Sequence, residues 1–161
     1  MIWEAVLADL IVKGFCLLAG VFGFTPKLEF RVFPDLYHGD KTLNLHVWNK
    51  PLLRGRGRDI DAGASVRLVD EIGKEVSFQD LLWSTGTGDF THMKLAVDEK
   101  NYYTLQVLRV QKARVWVPSP LAGTRTIPNG TYQVAVTLKY DNTSTTIDFP
   151  QKWRIPELVA V

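Results

Sequence analysis

Four cations fall between positions 50 and 58: Lys50, then Arg54-Gly55-Arg56-Gly57-Arg58. Glycine between guanidinium groups leaves them free to fan out, and each can hold a phosphate or carboxylate through two parallel hydrogen bonds. Arg54, Arg56 and Arg58 therefore predict contact with an acidic partner surface or with lipid headgroups. Asp59 and Asp61 follow at once and predict the opposite outcome, a solvated loop that neutralises itself locally. Nucleic acid is a poor fit. The formal net charge is only +2, and no basic face with interleaved aromatics accompanies the arginines.

Aromatic residues offer a second binding chemistry. Trp48 falls on the outward side of an alternating segment, and Trp116 stands between Arg114 and Val117. Exposed indoles on a β-sheet stack on sugar rings or fill a partner's pocket. The plainer outcome is coverage by loops or a second subunit. Catalytic patterns are missing. The single thiol, Cys16, lies in an apolar run that disfavours its thiolate. No serine has a Gly-x-Ser-x-Gly setting. His38, His46 and His92 are too scattered for a metal motif, and no Cys-x-x-Cys or His-x-His occurs. The glycine-rich Ser84–Asp89 lacks the Lys-Ser/Thr of a phosphate loop and reads as a hairpin loop. No catalytic, cofactor-binding or metal-binding residue is assigned, and the chain is expected not to be an enzyme. Two glycosylation sequons, at Asn129 and Asn142, fall at expected turns and matter only if the chain is exported.

The elements that would carry these residues divide at position 26. Residues 1–24 are apolar except for Glu4, Asp9 and Lys13, and Thr25-Pro26 ends the run. A helix would set Asp9 beside Lys13 at i,i+4 and place Glu4 near its N-terminus, where the dipole favours an anion. The uncharged stretch from Gly14 to Phe24 covers as a helix only about half of a ~30 Å hydrocarbon core. Met-Ile-Trp-Glu is not the basic start of a cleaved signal peptide. Val12-Lys13-Gly14-Phe15 is similar to a type IV prepilin processing site, but Ala19 stands where a pilin carries Glu and the apolar run stops at Phe24. A helix apolar on all sides must be covered by lipid or protein. The expectation is thus a hydrophobic helix, a membrane anchor or an assembly helix, whose contacts include Trp3, Phe15 and Phe22. The alternative is a helix folded back on its own domain.

From Lys27 the period changes to two, and residues 27–161 are expected to form one β-domain. Leu28, Phe30 and Val32 share a face, as do Leu43, Leu45 and Val47, with Asn44, His46 and Trp48 opposite. Further strands are expected at 65–70, 75–78, 92–97, 102–110, 113–117, 131–140 and 144–149, the last two joined by a short hairpin at Asp141-Asn142-Thr143. Breakers mark long connections at 34–41, 50–64, 84–90 and 118–130. With 46% hydrophobic and 11% aromatic residues and one cysteine, the chain is neither disordered nor a disulfide scaffold. The architecture expected is mainly β, an antiparallel β-sandwich of Ig-like or jelly-roll type preceded by a hydrophobic α-helix.

Pro128-Asn129-Gly130-Thr131-Tyr132-Gln133-Val134 resembles the E–F corner of immunoglobulin-like sandwiches, with Tyr132 as corner tyrosine and Val134 in place of the second cysteine. With no first cysteine, the resemblance is to bacterial or fibronectin-type members, over residues 125–150. The function expected is a structural subunit of a larger assembly: a surface filament, virion shell or membrane complex. Its partners are copies of itself, other subunits or membrane lipid. Its place is membrane-associated, extracytoplasmic, at a cell surface or in a virion. The alternative is a membrane-anchored module that recognises a glycan or protein ligand. The apolar segment 155–161 is expected either to extend a neighbour's sheet or to close its own sandwich.

Overall fold

A computed structural model describes residues 26–37, 39–51, 57–85, 87–121 and 125–161. The expected helix over 1–26, with Trp3, Phe15 and Phe22, lies outside the described residues apart from Pro26, which is irregular. Among the described residues there is no helix; fourteen strands form two antiparallel sheets.

In the first sheet, β1 (Lys27–Tyr37), β2 (Asp40–Lys50), β8 (Tyr103–Gln111), β5 (Trp83–Thr85) and β6 (Gly88–Phe90) lie side by side. β9 (Arg114–Trp116) also pairs with β8, and β10 (Thr126–Ile127) with β9. In the second, the order is β14 (Val159–Ala160), β13 (Trp153–Ile155), β11 (Gly130–Tyr140), β3 (Ile60–Asp70) and β4 (Glu75–Phe78). β12 (Thr143–Asp148) also pairs with β11, and β7 (His92–Leu95) with β3.

Period-two patterning builds the core. Leu43, Leu45 and Val47 of β2 join Leu105, Val107 and Leu108 of β8, Val66 and Leu68 of β3, and Val134, Val136 and Leu138 of β11 in one buried cluster around Trp83. At roughly 1.5–3 kcal/mol for each fully buried large apolar side chain, this cluster is the main source of stability. Strict alternation would put Leu108 outward and Arg109 inward. A bulge prevents this: Leu43 pairs with Leu108 and Asn44 with Gln106, so Val107 is the extra residue. Val107 and Leu108 are then both buried, and Arg109 reaches Asp40 through a hydrogen-bonded ion pair at 2.9 Å.

Buried Asn49 pins the sheets at one end. Its Nδ2 donates to the Arg58 carbonyl at 2.8 Å and to the Leu95 carbonyl at 2.9 Å. All four expected long connections are shorter than read: β5 and β6 take up most of 84–90, and β10 breaks 118–130. β1 runs on through Pro34 to Tyr37 and turns into β2 across two residues, with Gly39 supplying a φ of +85°. Pro34 is tolerated because β1 is an edge strand, where a missing N–H need not interrupt a ladder. Likewise β3 starts at Ile60 rather than after Ala64, because Ile60–Gly63 pairs with β7. The C-terminal segment closes its own sheet: β13 pairs with β11, and β14 folds back on β13.

Candidate functional site

The outer face of the first sheet holds the densest grouping of side chains with binding chemistry. Alternation puts Arg31, Phe33 and Asp35 of β1, Thr42, Asn44, His46 and Trp48 of β2, and Thr104 and Gln106 of β8 on this face, with Tyr102 just before β8. Register across the strands then makes a stack. The His46 ring lies between Phe33, 4.9 Å away between centroids, and Tyr102, 4.1 Å away, both nearly parallel to it. Trp48 leans on this stack, 5.2 Å from Tyr102 and edge-on to His46 at 6.1 Å. Arg31 stands 6.0 Å from the Phe33 ring centroid. His46 is buried between its neighbours, and that desolvation, with a smaller push from Arg31 and against the pull of Asp35, lowers its pKa from the ordinary 6.5. The imidazole is therefore neutral at pH 7 and stacks as an uncharged ring.

Beside the stack lies a small polar recess of about 160 Å³, lined among the described residues by Asp35, Thr42, Asn44, Ser84, Thr104 and Gln106. A sheet's solvent side normally exposes such residues, yet Thr42, Asn44 and Gln106 are all buried here. Asn44 Nδ2 donates to Thr42 Oγ1 at 3.2 Å, but its Oδ1 is buried without any donor from the protein. Gln106 Nε2 donates to Asp89 Oδ1 at 3.2 Å. Gln106 also lines a second recess of about 300 Å³, with Asp89, Arg109, Trp116 and Pro118 around it. The two recesses therefore adjoin at Gln106. Trp116 pairs with Arg109 and so shares this outer face, and its indole N–H is buried without an acceptor.

A separate apolar groove runs between the sheets, where β1, an edge strand among the described residues, faces β12–β14. Phe30, Val32, Ile147, Trp153, Leu158 and Val159 supply its apolar lining over about 760 Å³. It continues past Pro34 toward Leu36 and Lys41. Leu36, Val159 and Val161 are among the largest exposed apolar side chains at this end. Leu158 holds φ at +51°, an uncommon conformation for a bulky residue, and is nevertheless buried.

Of the residues singled out in the sequence, Trp48 and Trp116 lie on one face but at opposite ends of it. Arg58 pairs with Asp141 at 2.8 Å, across the turn between β11 and β12. Arg54 and Arg56 lie outside the described residues. Asp59 and Asp61 turn away from Arg58: Asp59 binds Lys94 at 3.4 Å and the Val97 N–H at 2.9 Å, while Asp61 is 4.0 Å from His92. Lys50 is held by Glu29 at 2.8 Å. Asn129 and Asn142 are both exposed. Sequence reasoning missed Phe33, Tyr102, Asn44 and Gln106. The alternation of β2 exposed the side on which Asn44 lies, but only the register with β1 and β8 reveals what meets it.

Among the described residues no group of three or more His, Cys, Asp or Glu could hold a metal ion, and no helix is long and apolar enough to cross a membrane. The class defined by these observations is an all-β, two-sheet antiparallel sandwich with an aromatic and polar outer face. No protein-family model matches the chain, and no curated protein matches it either.

Proposed function

We propose that this chain is a non-enzymatic assembly subunit: an immunoglobulin-like sandwich carried on an apolar N-terminal segment that is buried in a membrane or a subunit core. The observation that carries the reading is the lateral groove. Among the described residues it is an apolar channel between two unclosed sheet edges, the kind of surface that a neighbouring subunit covers. It is bordered by β1, the strand that follows the apolar residues 1–24 in the chain. Strand order supports the immunoglobulin-like type. β1-β2-β8-β5 corresponds to strands A-B-E-D and β4-β3-β11-β12 to C′-C-F-G. The Tyr132 hydroxyl donates to the Pro128 carbonyl at 3.0 Å, the bond a corner tyrosine makes at the start of strand F. Such a subunit belongs in a surface filament, a virion shell or a membrane complex. Arg54 and Arg56 are proposed contacts with acidic groups there.

Light scattering of the full-length chain in mild detergent tests this. The expected result is a large regular oligomer that Val159→Asp and Leu36→Asp dissociate while the melting temperature holds. Both side chains are exposed, so their loss costs the monomer little. A monomer at every concentration overturns the assembly reading. A second reading, a membrane-anchored module that recognises a glycan or protein ligand, draws on a different observation, the aromatic and polar outer face of the first sheet.

A further inference from the structure

We infer that the outer face of the first sheet binds a neutral oligosaccharide laid along β8, from the Trp48–Tyr102 step past Asn44 and Gln106 to Trp116. The inference rests on the binding-module reading, names its ligand class, and is independent of oligomeric state. Three features of the face converge on it.

The first is the pairing of flat rings with hydroxyl-binding groups. Sugars present apolar C–H faces and a rim of hydroxyls, so a saccharide site needs an aromatic face beside donors and acceptors. Tyr102 stacks on His46 and has Trp48 tilted against it, yet it is 50% exposed, which leaves ring surface for a sugar. Thr104 lies two residues further along the same face, ~7 Å at strand spacing, and opens the polar recess. One sugar ring spans that interval.

The second is the state of the buried polar atoms. Asn44 is 5% exposed, lines the recess, and has an acceptor oxygen with no donor from the protein. A buried amide oxygen left unpaired costs about 1–3 kcal/mol. A hydroxyl donor from a ligand supplies the missing bond. At the far end Trp116 lines the second recess, and its indole N–H, like those of Trp83 and Trp153 in the core, is buried without an acceptor.

The third is extent and charge. From Tyr102 to the Arg109–Trp116 pair the face runs roughly 20 Å, and the two recesses meet at Gln106. That length suits several linked sugars rather than one. Asp35 is the one ionisable side chain lining the first recess among the described residues, and Arg109 in the second is held by Asp40. Among the described residues the two recesses carry Asp35, Asp89 and Arg109, with no cluster of cations to meet an acidic sugar, so the ligand class is neutral.

The test titrates full-length protein, in a polyoxyethylene detergent that carries no sugar headgroup, with maltotetraose, cellotetraose, xylotetraose and mannotetraose. Binding is followed by calorimetry and by the His46 and indole N–H resonances. The proposal expects at least one tetrasaccharide to bind with Kd of about 1 mM or tighter, and its monosaccharide to bind about tenfold more weakly or worse. Tyr102→Ala and Trp116→Ala should each weaken binding by about tenfold, while Arg67→Ala on the opposite sheet leaves it unchanged. If a saccharide binds but neither aromatic variant weakens it, this site is overturned and the binding-module reading stands. If none of the four moves the His46 or indole signals at about 10 mM, the saccharide proposal falls, and capture of a protein ligand is the form of the module reading left.

Discussion

The two sheets turn very different outer faces to their surroundings. On the second sheet, Arg67, Thr137 and Lys139 are paired with polar or charged neighbours in the manner of a solvated surface. Thr137 and Thr146 share a hydrogen bond at 2.9 Å, Arg67 approaches Glu75 at 3.7 Å, and Lys139 reaches Gln79 at 3.3 Å. On the first sheet the corresponding positions carry a three-ring stack and amides that are buried although they point away from the core. A sheet face that only has to dissolve needs nothing beyond the first kind of arrangement. The second kind leaves buried polar atoms unpaired at a cost in stability, as Asn49, Trp83 and Trp153 also do away from this face, so what sets the first face apart is the ring stack beside buried amides.

Removing the centre of the stack should break this contrast most strongly. His46→Ala deletes a buried ring and both of its stacking contacts, and should cost about 2–3 kcal/mol in chemical denaturation, far more than any truncation on the other outer face. Acidification sharpens the comparison next. The folded-state pKa of His46 is held below the unfolded value, mainly by desolvation. Its contribution is therefore fully present above pH 6.5, is lost as pH falls from there through the folded pKa, and stays lost below it. Denaturation midpoints of wild type should drop across that window more than those of His46→Gln. A parallel pair of curves would remove desolvated His46 from the account. The smallest effect belongs to the second sheet, where Thr137→Ala should cost about 0.2–1 kcal/mol by the same denaturation assay and leave the His46 resonances in place.

Much of the sandwich is legible in the sequence. The alternation of Leu43-Leu45-Val47 and of Tyr132 to Tyr140 identifies strands, and both runs face the core, buried except for a half-buried Tyr140. The short elements are not legible, because β5, β10, β13 and β14 hold only two or three residues each, too few to establish a period. The β8–β9 turn is hidden for another reason. Lys112 and Ala113 both take positive φ, at 51° and 59°, where glycine or asparagine is the usual signal. The bulge at Val107 is concealed in the same way, since it answers to the fit between strands. For the site, Asn44, His46 and Trp48 can be seen to share a face, but an outward face reads as a solvated one. His46 is buried between Phe33 and Tyr102, which reach it only through pairings made across the sheet.

The order of the strands along the chain also sets a schedule. β1 and β2 are sequence neighbours joined by a two-residue turn, so they can pair as soon as residue 50 is made. The central pair of the other sheet joins residues 62–70 to residues 132–140. The apolar side of the early hairpin, with Leu43, Leu45 and Val47, therefore waits uncovered until β8 and β11 have followed. Pairings this distant in sequence form slowly, and an apolar hairpin left open in the interval is the surface on which aggregation starts.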